Sequence, residues 1–485
     1  MKKLNRKNLG LEKKLPIKII QFGEGNFLRA FVEYAFQKLN KEVGFNAGIA
    51  VVQPIEKGMI NVLNDQNGLY TLFLNGIKKG KDIQDIELIT NIVKGVNPYT
   101  DFNEYINLAK EESLEFVISN TTEAGIAYVG TDTPTMQPPS SFPAKLTVFL
   151  HERFKYFNGD KTKGLTIIPC ELINYNADTL KEIILKYCDD WKLENEFKSW
   201  LHASCSFHNT LVDRIVPGYP KDEIENYNNK LDYSDQLIVA AETFFLWVIE
   251  GDDKLKEKLP FHKTDLDVKI VKDMQPYRTR KVRILNGAHT SMVPFSILYG
   301  NKTVKETVDN SFTGSFVNNA IFNEINDTLP MERTELDHFA EEVLDRFRNP
   351  FIKHQLSDIA LNSVSKFKVR VLPSLLEYAI IHKKLPVHLT FSFACLIRFY
   401  KGSWKGKSLP IKDSSDIVVK FTEIWKSSDY SEIAKKVLSI SEYWGEDLTK
   451  VENLTKAIAL ALQEIDANGI EIGFKNFSKK VLNLN

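Results

Sequence analysis

The chain has 485 residues, enough for two or three hydrophobic cores. Lysine plus arginine and aspartate plus glutamate number 63 each, and the resulting zero net charge excludes the broad basic face of a nucleic-acid-binding protein. With 43% hydrophobic and 26% charged residues the composition is that of a soluble globular protein, and the most apolar stretch, Leu237 to Ile249, is interrupted by Glu242, so no membrane span is expected. The basic start, Met1-Lys-Lys-Leu-Asn-Arg-Lys7, has no apolar segment behind it and does not resemble a secretory leader. Cys170, Cys188, Cys205 and Cys395 are scattered, with neither a disulfide framework nor a CxxC zinc pattern, which points to a reduced, cytoplasmic protein without a bound metal.

After Pro16, Ile17 to Phe22 is a short apolar run predicting a buried strand. Gly23-Glu24-Gly25-Asn26-Phe27 follows and opens a helix to about Leu39. Asn46 to Gln53 predicts a second strand, stopped by Pro54. Strand, glycine turn, helix and strand form the opening unit of a dinucleotide fold, in which glycines let the backbone approach a pyrophosphate. The fingerprint is incomplete: Leu28 stands at the third glycine of GxGxxG, and Gln53 stands where an acid would meet a ribose. A tight turn without a ligand fits the same residues. Further strands are predicted at 69–74, 86–90 and 114–119. The last delivers Asn120, Thr121, Thr122 and Glu123 to the end of a parallel sheet, where cofactors bind, although a capping loop has the same composition. A strand at 164–169 places Cys170-Glu171-Leu-Ile-Asn174-Tyr-Asn176 at the same edge. Asp213 and Arg214 follow near a chain turn, where an internal ion pair is the plain explanation.

Lys281-Val-Arg-Ile-Leu-Asn286-Gly-Ala-His289 carries the most chemistry. After a break at Gln275-Pro-Tyr, the apolar positions Val282, Ile284, Leu285 and Ala288 predict the start of an α-helix. Asn286 and His289 are then i,i+3 neighbours, and Lys281 lies about 80° round the axis from His289. A desolvated lysine can serve as general acid or base, and an asparagine N–H can polarise a carbonyl or alkoxide oxygen. An ordinary amphipathic helix start fits the same letters. Gly287 weakens such a helix and hints at close backbone approach. Beyond this point helical periods dominate, at 335–347, 350–365, 371–382, 386–400, 415–426 and 448–466. The expected architecture is therefore α/β: a Rossmann-type dinucleotide-binding domain over 1–270 with extensions, then a mostly helical substrate and catalytic domain over 271–485. The Lys281 stretch falls at the seam in the sequence.

Gly23-x-Gly25-x-Phe27-x-Arg29, Thr122-Glu123-x-Gly125, Cys170-Glu171 with Asn176, and Lys281-x4-Asn286-x2-His289 occur in this order. In them the chain resembles the polyol-specific long-chain dehydrogenases, the mannitol dehydrogenase family, nearly end to end. Thr210-Leu-Val-Asp-Arg-Ile-Val216 and Arg348-Asn-Pro-Phe-Ile-Lys-His-Gln-Leu356 favour its uronate-acting branch. The resemblance implies an NAD-dependent, zinc-independent oxidoreductase. It makes Lys281 the general acid/base, assigns Asn286 and Asn176 to the reacting oxygen, and makes His289 and Asp213 substrate ligands. Phe22, Gly23, Glu24, Gly25, Asn26, Phe27, Gln53, Thr121, Thr122 and Glu123 form the implied cofactor site. A small-molecule hexuronate also needs a cation for its carboxylate. Lys366 and Arg370, with Lys368, Arg278 and Arg280, are candidates, and a solvated basic helix face accounts for them equally well. The expected state is a monomer or small homo-oligomer.

Overall fold

The computed structural model describes residues 2–11, 15–78, 80–122, 124–352, 354–482 and 484. It divides into two compact units, Met1–Gly76 with Asp82–Met274, and Ile77–Lys81 with Gln275–Asn485.

In the first unit the apolar run after Pro16 forms β1 (Ile17–Phe22). The chain then passes through α1 (Asn26–Ala30) and α2 (Val32–Val43) to β2 (Gly48–Val52). β3 (Tyr70–Lys78), β4 (Lys81–Ile89) and β5 (Ile92–Val96) follow, then β6 (Phe116–Ser119), α3 (Phe142–Tyr156), β7 (Thr166–Pro169), α4 (Asn176–Asp190), α5 (Asn195–Ser204) and β8 (Ser206–Phe207). Six of these strands form one parallel sheet in the order β5-β2-β1-β6-β7-β8. This is the doubly wound order of a dinucleotide-binding fold, with its reversal between β1 and β6.

Alternation along each strand feeds two cores. Ile19, Ile49, Val51, Phe116, Ile118 and Ile168 pack on the face of α2. Ile20, Phe22, Ala50, Val52, Val117 and Ile167 pack on the face of α3, α4 and α5. Burial on both faces explains why these strands are continuous apolar runs. β9 (Thr210–Asp213), β10 (Val239–Glu242), β11 (Leu246–Glu250) and β12 (Val268–Val271) extend the unit. β9 pairs antiparallel with β11, and β10 runs parallel to β3. The apolar stretch at 237–249 is thus two buried strands.

The second unit is mostly helical. α6 (Gln275–Arg280) runs through a π-helical turn at Lys281–Asn286 into α7 (Gly287–Tyr299). Then come α8 (Arg333–Arg348), α9 (Ser363–Arg370), α10 (Leu372–His382), α11 (Val387–Phe399) and α12 (Leu454–Val481), with shorter helices between. Every residue of α11 from Leu389 to Phe399 is buried, so this helix is enclosed on all sides and packs against α7 and α12 at the unit's centre.

Two helical expectations are corrected. The helix expected over 350–365 does not form. Pro350 follows the end of α8, and Asn362 takes the left-handed conformation at φ 53°, leaving Leu356–Ile359 as the helical residues before α9 among those described. The helix expected to end at 466 continues to Val481, past a non-helical Gly469.

Candidate active site

Gly23 ends β1 with φ 119°, a conformation that side chains rarely adopt. A Cβ there would also lie 2.8 Å from the carbonyl oxygen of Asn120 and 3.1 Å from Leu28. Leu28, which replaces the third glycine, is therefore the packing partner of the first. A Cβ on Gly25, by contrast, would meet nothing within 4 Å, so the turn presents bare backbone to open space. That is the cradle a pyrophosphate requires, and the residues fit a dinucleotide.

The turn is held from beneath. Arg29, 2% exposed, donates from Nε to the carbonyl oxygen of Glu24, from Nη2 to Asn26 Oδ1 and from Nη1 to the carbonyl oxygen of Leu237. Gln21 Nε2 bridges the carbonyl oxygen of Gly23 and Glu33 Oε1, at 2.9 and 2.7 Å. Glu33 is fully buried, and burial pushes its carboxyl up to about 7 against the hydrogen bonds from Tyr70 and Gln21 and the charge of Arg29. Phe22 is a core ring against Tyr105 and Phe142, so its side chain cannot touch a cofactor. Gln53 is buried as well, with Nε2 bonded to the carbonyl oxygens of Ile55 and Glu56 at 2.9 Å each. Phe27 is half-buried and stacks on Phe31.

Across the sheet reversal, Asn120 donates from Nδ2 to the carbonyl oxygen of Cys170 at 2.8 Å. Thr121 donates from both its N–H and its hydroxyl to Glu171 Oε1, and the hydroxyl of Ser119 donates to Glu171 Oε2. Thr122 sits at φ 80°, a costly position for a β-branched residue, of the kind that clusters at functional loops. Glu123 lies outside the described residues.

Asn176 requires correction. It is 0% exposed, and its Nδ2 lies 3.0 Å from the carbonyl oxygen of Pro169, 3.1 Å from that of Glu171 and 3.2 Å from Thr210 Oγ1. Its Oδ1 accepts from the N–H groups of Thr210 and Ala177. Both amide hydrogens are taken by the protein itself, so Asn176 ties β7, β9 and α4 together and has no N–H to offer a substrate oxygen. Asp213 is buried at the end of β9. Its neighbour Arg214 donates to the carbonyl oxygens of Ala30, Glu242 and Phe244 and lies over Tyr34 and Phe245.

In the second unit Lys281, Asn286 and His289 are all half-buried on one continuous helical path. Pro276 does not break the helix but sits in the first turn of α6, where its missing N–H is harmless. The expected α-helix start is instead a π turn. In α geometry Lys281 and Asn286 would point about 140° apart. The i→i+5 closure of a π turn brings residues five apart to the same side. Gly287 follows, and a Cβ on it would lie 2.9 Å from the carbonyl oxygen of Arg370, so the C-terminus of α9 closes directly on the motif. The ring of His289 lies 4.3 Å from that of Phe347 and 5.7 Å from that of His354. Burial, then the charge of Arg346, holds His354 below the ordinary imidazole range.

The candidate cations separate. Arg280 Nη1 pairs with Glu335 at 2.9 Å, and its guanidinium lies over Phe339, which anchors the π turn to α8. Lys368 Nζ approaches the carbonyl oxygen of Glu442 at 3.5 Å. Arg278 is half-buried in α6. Lys366 and Arg370 share the last turn-and-a-half of α9. Burial lowers the pKa of both, and the charge of Arg370 lowers Lys366 further. Lys366 Nζ donates to the carbonyl oxygen of Ile359 at 3.0 Å.

The mannitol dehydrogenase Rossmann domain matches residues 17–263, and the mannitol dehydrogenase C-terminal domain matches residues 273–466. The chain belongs to the mannitol dehydrogenase family. It is an oxidoreductase of that family. It is similar to the altronate oxidoreductase of Bacillus subtilis strain 168, at 45% identity over 98% of both chains. It is also similar to that of Yersinia enterocolitica, at 43% identity over 99% of this chain and 100% of the other. Two solved structures share the fold at 20% identity. One is substrate-free D-sorbitol dehydrogenase, with a TM-score of 0.79 over 95% of both chains. The other is Pseudomonas fluorescens mannitol 2-dehydrogenase in a ternary complex with NAD and D-mannitol, with a TM-score of 0.65 over 99% of this chain and 100% of that one.

Within this mannitol dehydrogenase framework, three residues carry structural weight that spacing did not assign. Glu171 fastens the loop at Thr121, Arg29 fastens the glycine turn, and Phe347 floors His289. Glu171 and Arg29 were visible only as letters within motifs. Nothing in a sequence says that a charged side chain is 2% exposed. Among the described residues no helix is long and apolar enough to cross a membrane.

Proposed function

We propose that the chain is an NAD-dependent altronate oxidoreductase that interconverts D-tagaturonate and D-altronate in the breakdown of hexuronates. The dinucleotide, when bound, would supply a hydride as NADH for reduction of the ketone and would accept one as NAD in the reverse direction. Gly23, Glu24, Gly25, Asn26 and Phe27 hold it, with Thr121 and Thr122 at the neighbouring strand end. The protonated amine of Lys281 gives a proton to the oxygen as negative charge develops there, and Asn286 donates a hydrogen bond to the same oxygen. In the oxidative direction neutral Lys281 takes the proton back. His289 and Asp213 position substrate hydroxyls. Lys366 and Arg370 take the carboxylate, a reading supported by the approach of the Arg370 carbonyl oxygen to Gly287, which sets the end of α9 against the motif. Asn176 has no catalytic part.

What supports the substrate most is the near-complete alignment with relatives named altronate oxidoreductase, at 42–45% identity. The reading places the enzyme in the cytoplasm, where its four buried free cysteines stay reduced. The test is a panel of D-tagaturonate, D-fructuronate and D-fructose with NADH and purified protein, following absorbance loss. Tagaturonate is expected to turn over fastest. A higher rate on fructuronate would assign the epimeric reductase, and a higher rate on fructose would reject a uronate substrate altogether.

A further inference from the structure

The acid that would meet the adenine ribose in a Rossmann site is missing from the end of β2, where Gln53 stands with its amide turned back onto the carbonyl oxygens of Ile55 and Glu56. A carboxylate reaches that place from elsewhere. Glu24, the middle residue of the glycine turn, folds its side chain across to the end of β2. A Cβ placed on Gly58 would lie 2.1 Å from Glu24 Oε1 and 2.5 Å from Gln53 Oε1, so the two side-chain ends converge on one small volume. The N–H of Met59 donates to Glu24 Oε1 at 3.3 Å, and Glu24 is 7% exposed. Arg29 fixes the turn that carries it, through the Glu24 carbonyl and Asn26.

We infer that Glu24 supplies the missing acid and makes the nucleotide site selective for a free ribose 2′-hydroxyl over a 2′-phosphate. A 2′-hydroxyl donates to the carboxylate, whereas a 2′-phosphate brings like charge against a nearly buried anion, which water cannot screen well. The loop between β2 and Met59 also carries Glu56 and Lys57, both exposed. Lys57 is the one cation on that loop that would favour a phosphate, and its exposure weakens it.

The inference rests on the reading that the first unit holds a nicotinamide dinucleotide, and its test needs no substrate. Full-length wild type, Glu24→Gln, Glu24→Ala and Lys57→Ala are titrated with NADH and with NADPH by nucleotide fluorescence. Wild type is expected to bind NADH at least about ten-fold tighter than NADPH, and Glu24→Gln is expected to narrow that ratio by about ten-fold, chiefly by gaining NADPH affinity. Equal losses for both nucleotides in both Glu24 variants would overturn the inference, reducing Glu24 to a brace for the loop at Met59. Wild type that prefers NADPH, with the preference lost in Lys57→Ala, would also overturn it. Wild type that binds neither nucleotide would instead reject the cofactor reading itself, while failure to turn over tagaturonate would leave the binding ratio standing.

Discussion

The carbonyl oxygen of Arg370 occupies the position that a side chain on residue 287 would need, 2.9 Å from an ideal Cβ on Gly287. Gly287 follows the π turn directly, so the same contact sets the placement of Asn286 and of the helix carrying Arg370. Gly287→Ala is expected to destabilise the protein by about 1–3 kcal/mol, as overpacking does, and to lower kcat by about ten- to a hundred-fold by displacing the proton-transfer groups. Urea denaturation and steady-state rates on one preparation measure both. Unchanged stability and rate would mean that α9 shifts freely.

Lys281→Ala is expected to lose about two to four orders of magnitude in kcat while keeping its affinity for NADH. Turnover near the wild-type rate would remove the proton from Lys281 and place it elsewhere.

Asn286 and Asn176 should part company. Asn286→Ala is expected to lower kcat about a hundred-fold or more with little change in stability, as loss of an oxyanion donor does. Asn176→Ala takes its acceptor from the buried N–H of Thr210 and removes the amide that bridges β7, β9 and α4, and is expected to cost about 1–3 kcal/mol of stability. A fully stable Asn176→Ala with a lost rate would restore its catalytic role.

Arg370→Ala is expected to raise KM for tagaturonate by about ten- to a hundred-fold, the scale of a hydrogen bond to a charged group, and to leave KM for fructose nearly unchanged. An equal rise for both sugars would show that the substitution disturbs the helix rather than a carboxylate contact.

Glu33 gives a pH signature. Its buried carboxyl is raised from the ordinary 4.5 to about 7, so the folded state favours the neutral form. The stabilisation is complete below pH 4.5 and is lost as the pH rises through about 7, by a few kcal/mol at most. Glu33→Gln cannot ionise. Its stability relative to wild type, from urea midpoints between pH 5 and 8, is therefore expected to improve with pH up to about 7 and then to level off. A constant difference would assign the titration to another group.

Much of this was legible in the letters. Apolar runs such as Phe116 to Ile118 become sheet-centre strands because burial on both faces removes any need for alternation. The Gly23 turn was legible because its backbone conformation excludes other residues. The strands at 239–242 and 246–250 were not, since an apolar run alone does not distinguish a strand from a helix. Nor was the silence of Asn176. An asparagine beside a strand end has the same letter whether its amide faces a ligand or, as here, five groups of its own protein. The break at Asn362 was hidden because an asparagine tolerates helical and left-handed conformations alike.

The π turn at Lys281–Asn286 also limits what an engineer can borrow. Grafting Lys-x4-Asn onto a regular α-helix of another scaffold would leave the proton donor and the oxygen-binding amide on nearly opposite sides. Deleting one residue between them here would wind the turn back to α pitch with α6 left nearly in place, because the widened turn already absorbs the roughly 100° that one residue adds. At its five-residue spacing the motif is portable only together with the widened turn, and a search for unrelated proteins with this chemistry should look for that turn before the letters.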